Sequence, residues 1–282
     1  MNENNLIESL LNIAFAEDID DGDHTTLSCI PATTHGKAQL IIKDKGVLAG
    51  VEMAKRVFFK FDPEIKMEVF IDDGSEVNPN DVAFTVEGKV QSLLQTERIV
   101  LNFMQRMSGI ATKTHYFCSL IEGTNAKLLD TRKTTPNMRI LEKMAVRIGG
   151  GYNHRMGLYD MIMLKDNHID YAGGIESAIK KANQYIQNKQ LDIQIEIETR
   201  SLSEVEQALS TGGFHRIMFD NFTVENVRKG VEMVQNKYET EASGNINEQT
   251  IRSYAETGVD FISVGALTHS VKGLDMSLKA II

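Results

Sequence analysis

The sequence predicts an α/β fold: an incomplete TIM-like α/β barrel preceded by an N-terminal α+β sandwich domain. Three observations carry this. Between about residues 36 and 90, short β-patterned runs are punctuated by the turn signals Asp73-Gly74 and Asn78-Pro79. After Ser92, strand-like and helix-like segments alternate, as parallel strands joined by crossover helices require. The residues that end these strands are polar, small or charged, and strand C-termini are where such barrels carry their chemistry. The expected division is 1–107 for the sandwich, joined by a C-terminal helix over 271–282, and 108–270 for the barrel.

In chain order, MNENNLIESLLNIAFAEDID places Leu6, Leu10 and Ile13 at helical spacing, with Ile7, Leu11 and Ala14 beside them. It lacks a basic leader segment and reads as a folded helix rather than a signal peptide. AQLIIKDKGVLAG and KMEVFIDDGSEVNPNDVAFTVEG supply β runs, interrupted by a helix over 51–61. TERIVLNFMQRM and ATKTHYFCSLIEG read as two helices parted at Ser108-Gly109. Then follow the strand AKLLDT, a helix within 138–148, the strand MIMLK and a helix over 174–187. IQIEIET, a helix over 203–210, RIMFD and a helix over 224–238 come next. KYETEA, a helix over 248–257, FISVG and a last helix over 268–280 complete the pattern. Six or seven strands result, fewer than the eight of a closed barrel.

A chain of 282 residues buries a substantial core. No apolar run approaches the ~20 residues of a membrane-spanning helix. The two cysteines, Cys29 and Cys118, have no paired spacing, so neither a disulfide framework nor a cysteine-based zinc site is expected, and the cytoplasm is the expected compartment. A net charge of -9 argues against a nucleic-acid partner, whose phosphates demand a broad basic surface. The charge is uneven, however. Between Asp130 and His168 stand seven cations (Arg132, Lys133, Arg139, Lys143, Arg147, Arg155, Lys165) and only four anions, a local +3 against -12 elsewhere. A basic island in an acidic body suits a small anionic ligand.

DTRKTTPNMR sits at the centre of that island. Asp130-Thr131 ends a strand, and Thr135-Pro136 has the form of an N-cap followed by proline at the first helical position. Arg132 and Lys133 then lie in the loop and Arg139 in the first helical turn, where cations oppose the helix dipole and a bound anion would account for them. The plain alternative is a solvated loop paired with nearby acids. In GGGYNHRMGLYDMIMLKDNH, three glycines end a helix and free the backbone for a ligand, His154-Arg155 supplies a donor and a fixed charge, and Lys165 follows an apolar strand. His154 and His168 match no common zinc spacing, and His168 reads as a loop histidine satisfied by hydrogen bonds.

IQIEIET alternates strictly, so Ile193, Ile195 and Ile197 face the helices while Gln194, Glu196 and Glu198 point inward, with Lys133 and Lys165 as candidate counterions. Asp220 ends the next strand. A structural charge network would give the same pattern. SGN (243–245) and VGALTHS (264–270) are small-residue loops read as leading into helices, whose backbone N–H groups can hold a phosphate.

Taken together, TERIVLNFMQRMSGIAT, DTRKTTPNMRILEKMAVRIGGGYNHRMGLYDMIMLKDNH, the carboxylate strand, RIMFDNF, EASGNIN and TGVDFISVGALTHS resemble the quinolinate phosphoribosyltransferases. These are the decarboxylating nicotinate-nucleotide pyrophosphorylases of de novo NAD synthesis. The resemblance covers nearly the whole chain. It implies a type II transferase that converts quinolinate and phosphoribosyl pyrophosphate to nicotinate mononucleotide, pyrophosphate and CO2. It also implies a homodimer or a larger, hexameric assembly, and Mg²⁺ accompanying the pyrophosphate.

By position in those motifs, Arg132, His154 and Arg155 would hold the quinolinate carboxylates, Thr134 would be substrate-binding, and Arg98 would reach in from a partner subunit. Lys133 and Lys165 would lie between the two substrates. Lys133, Glu198 and Asp220 would be catalytic, the two carboxylates facing ribose and metal-pyrophosphate. Ser243, Gly244, Asn245 and Gly265 would cradle the 5′-phosphate, with His269 nearby. Asn137 and Asn245 stand where the family carries glycine, and both tolerate left-handed backbone. EIETRS departs from the family's run, so Glu196 and Glu198 both remain open as the main carboxylate, with Glu198 nearer the strand end.

Two other functions fit parts of the pattern. A Schiff-base aldolase would use Lys133 or Lys165 as nucleophile, and borohydride trapping would reveal it. A non-catalytic binding protein of the same fold would not need the full set of cations.

Overall fold

The structure, a computed structural model, describes residues 3–281. The first elements are α1 (Glu3–Asp18), α2 (His24–Cys29), β1 (His35–Ile42), β2 (Gly46–Val47), α3 (Val51–Phe61), β3 (Lys66–Val69), β4 (Glu76–Val77), β5 (Val82–Lys89) and α4 (Val90–Leu120). Then come β6 (Lys127–Leu129), α5 (Arg139–Ile148), β7 (Met161–Leu164), α6 (Asp166–Ala172), α7 (Ile175–Lys189), β8 (Gln194–Thr199) and α8 (Leu202–Thr211). The last are β9 (Arg216–Asp220), α9 (Val224–Val234), β10 (Glu239–Ser243), α10 (Ile251–Ala255), β11 (Phe261–Ser263), α11 (Ala266–His269) and β12 (Met276–Ile281).

The chain forms two compact units. One comprises the chain up to His115, Thr134–Gly150, and the chain from Leu267 onward; the other is Tyr116–Lys133 with Gly151–Ala266. The first contains an antiparallel sheet in the order β12-β1-β5-β3 and a two-stranded β2-β4 ribbon. Its core is apolar: Leu40, Ile42, Phe58, Phe84 and Val86 are fully buried, and the Phe58 and Phe84 rings meet edge to face, centroids 6.2 Å apart.

The second contains a six-stranded parallel sheet in the order β6-β11-β10-β9-β8-β7. This is an open α/β arrangement rather than a closed barrel. A lone parallel bridge from Leu129 to Tyr152 continues it past β6.

Several sequence expectations change here. The expected C-terminal helix is instead β12, pairing Met276 with Ile42 and Leu278 with Leu40. Met276 and Leu278 alternate inward, a strand period that the short apolar run conceals. The two helices parted at Ser108-Gly109 are one 31-residue helix, and a boundary at 107/108 falls inside it. Ser108 Oγ accepts the Ala49 N–H at 2.8 Å, and a Cβ on Gly109 would strike the Lys272 carbonyl. Both residues are small so that chain can pack against the helix, and neither breaks it.

Thr135-Pro136 does not start α5. Asn137, at φ +64°, interrupts the helical path and Met138 becomes the N-cap. Gly149 is likewise a packing glycine, since a Cβ would strike the Ala111 carbonyl. His168 lies in α6, not in a loop, with its Nδ1 accepting the Lys165 N–H at 3.0 Å.

Candidate active site

Parallel strands point alternate residues into the interior of the second unit, and three of them deliver charge there. From β8 come Glu196, fully buried, and Glu198, 8 % exposed. β9 contributes Arg216 and Asp220, and β10 contributes Glu241 and Ser243, with Glu239 exposed at its first position.

The deeper group is a network. Arg216 donates to Glu239 Oε2 at 2.9 Å and to Glu241 Oε2 at 3.2 Å. His154 Nε2 lies 2.9 Å from Glu196 Oε2 and 3.5 Å from Glu241 Oε2, a contact split between two carboxylates. Burial pushes both carboxyls up to about 7; the neighbouring Glu196 charge adds to the shift at Glu241, while Arg216 opposes it at Glu196. His154, Glu196 and Glu241 are close enough to ligate a cation. The Arg216 guanidinium already supplies positive charge beside Glu241, so the cluster reads as an internal charge network rather than a metal centre.

The shallower group lies at the C-terminal strand ends. Lys165 Nζ is 3.3 Å from Glu198 Oε2. Burial raises the Glu198 carboxyl above its ordinary value, and the Asp220 charge raises it further against the pull of Lys165. Asp220 Oδ2 accepts from Asn221 Nδ2 at 2.8 Å, and Asn221 Oδ1 accepts from Asn245 Nδ2 at 3.0 Å. Asn221 (φ +56°), Gly244 (φ +96°) and Asn245 (φ +52°) are all left-handed, and a Cβ on Gly244 would strike Asn221. Ser243–Asn245 is therefore a tight loop well ahead of α10, not a helix N-terminus, and only four-residue α11 follows Gly265.

The cations close the site. Arg155 is 9 % exposed, and burial together with the nearby Arg132 charge lowers its pKa. Its Nη1 donates to the Met161 carbonyl at 3.2 Å. Two guanidiniums held close in a sparsely hydrated place invite an anion. Fully buried Asp130 fixes the loop that carries them, accepting the His154 N–H at 2.8 Å and the Asn153 side chain at 2.6 Å. Lys133 is exposed, its N–H donating to Thr131 Oγ1 at 3.1 Å.

The second unit thus holds Arg132, Lys133, His154, Arg155, Lys165, Glu198, Asp220, Ser243, Gly244, Asn245 and Gly265. Arg98, Thr134 and His269 belong to the first. Arg98 is exposed on α4, Thr134 Oγ1 accepts from Arg139 Nε at 2.9 Å, and His269 Nδ1 lies 2.7 Å from Ser270 Oγ. Sequence reasoning missed Asp130, Arg216, Asn221 and Glu241. The alternation of RIMFD and KYETEA, treated as IQIEIET was, points Arg216 and Glu241 inward.

The chain matches the quinolinate phosphoribosyl transferase C-terminal domain over residues 110–279 and its N-terminal domain over 23–108. It is 42% identical over 288 residues to a tobacco (Nicotiana tabacum) quinolinate phosphoribosyltransferase [decarboxylating], covering 97% of this chain and 82% of that one. It is also 42% identical over 272 residues to a probable nicotinate-nucleotide pyrophosphorylase [carboxylating] of Bacillus subtilis, covering 96% and 92%. Among solved structures, NadC from Streptococcus pyogenes superposes with a TM-score of 0.92 at 38% identity, covering 98% and 97%. With both domains matched in order along nearly its whole length, the chain belongs to the quinolinate phosphoribosyltransferase family.

Proposed function

We propose that the protein transfers the phosphoribosyl group of phosphoribosyl pyrophosphate to the ring nitrogen of quinolinate and releases pyrophosphate and CO2, forming nicotinate mononucleotide in de novo NAD synthesis. One observation supports this: two guanidiniums, Arg132 and Arg155, feel each other's charge within the same unit whose strand ends carry the Glu198 and Asp220 carboxylates. A pyridine dicarboxylate and an activated, pyrophosphorylated sugar need these two kinds of charge side by side.

Arg132 and Arg155 hold the quinolinate carboxylates. As the bond from the anomeric carbon to pyrophosphate breaks, positive charge grows on the ribose, and Glu198 and Asp220 stabilise it. The quinolinate nitrogen closes the new bond on that carbon. Loss of the C2 carboxylate as CO2 then leaves an electron pair on the ring, which a proton neutralises; Lys133 and Lys165 supply fixed positive charge beside it. The Ser243–Asn245 loop and Gly265 present backbone N–H groups to the 5′-phosphate. No covalent nucleophile is required.

Glu198 and Asp220 are a carboxylate pair of the kind that holds Mg²⁺ when substrate phosphates complete its shell, and the bound ion would neutralise the leaving pyrophosphate. The exposed Arg98 on α4 suits a role across a homodimer interface, completing the partner's quinolinate site. The protein works in the cytoplasm; among the described residues no helix is long and apolar enough to cross a membrane.

The test is release of CO2 from carboxyl-labelled quinolinate by purified protein with phosphoribosyl pyrophosphate and Mg²⁺. Turnover that ceases on chelation is expected; turnover of nicotinate but not quinolinate would overturn the assignment. Mixing inactive Arg98→Ala chains with inactive Arg155→Ala chains should restore activity, and no recovery would remove Arg98 from the shared site.

A further inference from the structure

The Arg155 main chain is held from below. Its backbone N–H donates to His154 Nδ1 at 2.7 Å, which places the imidazole proton on Nε2. That nitrogen turns into the sheet interior, toward Glu196 Oε2 at 2.9 Å and Glu241 Oε2 at 3.5 Å. Glu241 is held in turn by Arg216 at 3.2 Å, and Arg216 by Glu239 at 2.9 Å. A continuous run of side chains therefore leads from the start of β9 and β10 to the loop carrying Arg155. It passes through buried groups: Glu196 and Glu241 are 0 % exposed, His154 8 % and Arg216 9 %. Asp130 secures the same loop through its backbone, while the ring faces Glu196 and Glu241, of which Glu241 is the one tied on to Arg216 at 3.2 Å. Buried carboxylates around one guanidinium are a poor source of stability, and a hydrophobic filling would serve a sheet interior as well. Their value lies in fixing geometry.

We propose that Glu241 is a positioning residue for quinolinate: it fixes His154 and, through the His154 ring, the main chain that aims the Arg155 guanidinium. This rests on the quinolinate reading of Arg155. The location of Glu241 makes it separable from simple damage to the sheet. Glu241 lies two residues before Ser243 on β10, so a merely disrupted strand would disturb the phosphate loop and weaken phosphoribosyl pyrophosphate. A positioning role weakens quinolinate instead.

The experiment compares Glu241→Ala, Glu241→Gln and His154→Ala with wild-type protein. It measures kcat, both KM values, direct quinolinate binding by calorimetry and the melting temperature. Glu241→Ala should raise the quinolinate KM and Kd about tenfold, the loss expected when one buried charged contact to the ring is removed. The KM for phosphoribosyl pyrophosphate should stay within about twofold of wild type on the same reasoning. Glu241→Gln, which keeps an acceptor oxygen, should recover most of the loss. Glu241→Ala added to His154→Ala should cost quinolinate binding little more, because both act through one contact.

An unchanged quinolinate Kd in Glu241→Ala overturns the inference, as does an equal rise in both KM values. Should Glu241→Ala fail to fold, Glu241→Leu, which keeps the bulk and removes the oxygens, alone and in the His154→Ala background decides by the same non-additivity. Wild-type protein that binds no quinolinate would sink the functional reading itself. Wild-type turnover with indifferent Glu241 variants would sink only this step.

Discussion

Phe84 and Glu241 are both fully buried in strands with neighbours on either side, yet the sheets around them answer different demands. Phe84 in β5 meets the Phe58 ring within an apolar core that includes Leu40 and Val86. Area removed from water and close packing suffice there. Glu241 in β10 meets Arg216, Glu196 and His154. Every one of those groups loses hydration on burial, and ion pairing recovers only part of it. One sheet is built to hold together. The other accepts a strained electrostatic interior because charge must be delivered, in fixed places, to the strand ends above.

Substitutions should separate these two roles. The largest effect belongs to Phe84→Ala, which should lower unfolding free energy by about 3–5 kcal/mol through cavity formation. Denaturant titration reads this, and kcat/KM of the folded fraction should stay at the wild-type value. A comparable loss of specific activity would break the separation. Glu198→Gln should do the reverse. It should cut kcat by about 10²–10³-fold, roughly 3–4 kcal/mol of transition-state stabilisation, with an unchanged or higher melting temperature, since burial opposes the charged carboxylate. A destabilised but active variant would assign Glu198 to the scaffold.

Arg155→Ala should raise the quinolinate KM about 30–100-fold, near 2–3 kcal/mol for a charge-assisted contact. The KM for phosphoribosyl pyrophosphate should move far less; equal losses would contradict the placement of Arg155. The most gradual effect, spread over almost three pH units, is a pH dependence of stability. The Glu241 carboxyl is raised to about 7 in the folded protein, against about 4.3 unfolded. Between those values the folded state binds the extra proton, so stability falls as pH rises through the window and levels above it. The slope is at most about 1.4 kcal/mol per pH unit for each proton. Urea midpoints should show this decline in wild-type protein and a flatter profile in Glu241→Gln. A wild-type midpoint that rises with pH across the window would show that other groups govern it.

Much of this was legible in the residues themselves. Strict alternation in IQIEIET turned Glu196 and Glu198 inward, and the cation excess in DTRKTTPNMR pointed to the loop whose Arg132 lies near Arg155. Asn137 and Asn245 adopt the left-handed backbone expected of them. What was not legible depends on partners distant in sequence. Gly109 reads as a helix breaker until the Lys272 carbonyl beside it is known. Met276–Ile281 reads as helical until β1 offers it an edge. The two carboxylates of β8 could be told apart only once Arg216 and Glu241, from other strands, claimed the deeper one's surroundings.

The pairing of β12 with β1 also orders events at the ribosome. Leu40 and Leu278 are cross-strand partners, so translation produces one edge of the antiparallel sheet more than two hundred residues before its mate. Until residues 276–281 leave the exit tunnel, β1 presents an unpaired row of amides and carbonyls to solvent, the kind of edge that recruits chaperones or other nascent chains. Chains stalled ahead of that point should be digested by protease near β1 while full-length chains resist.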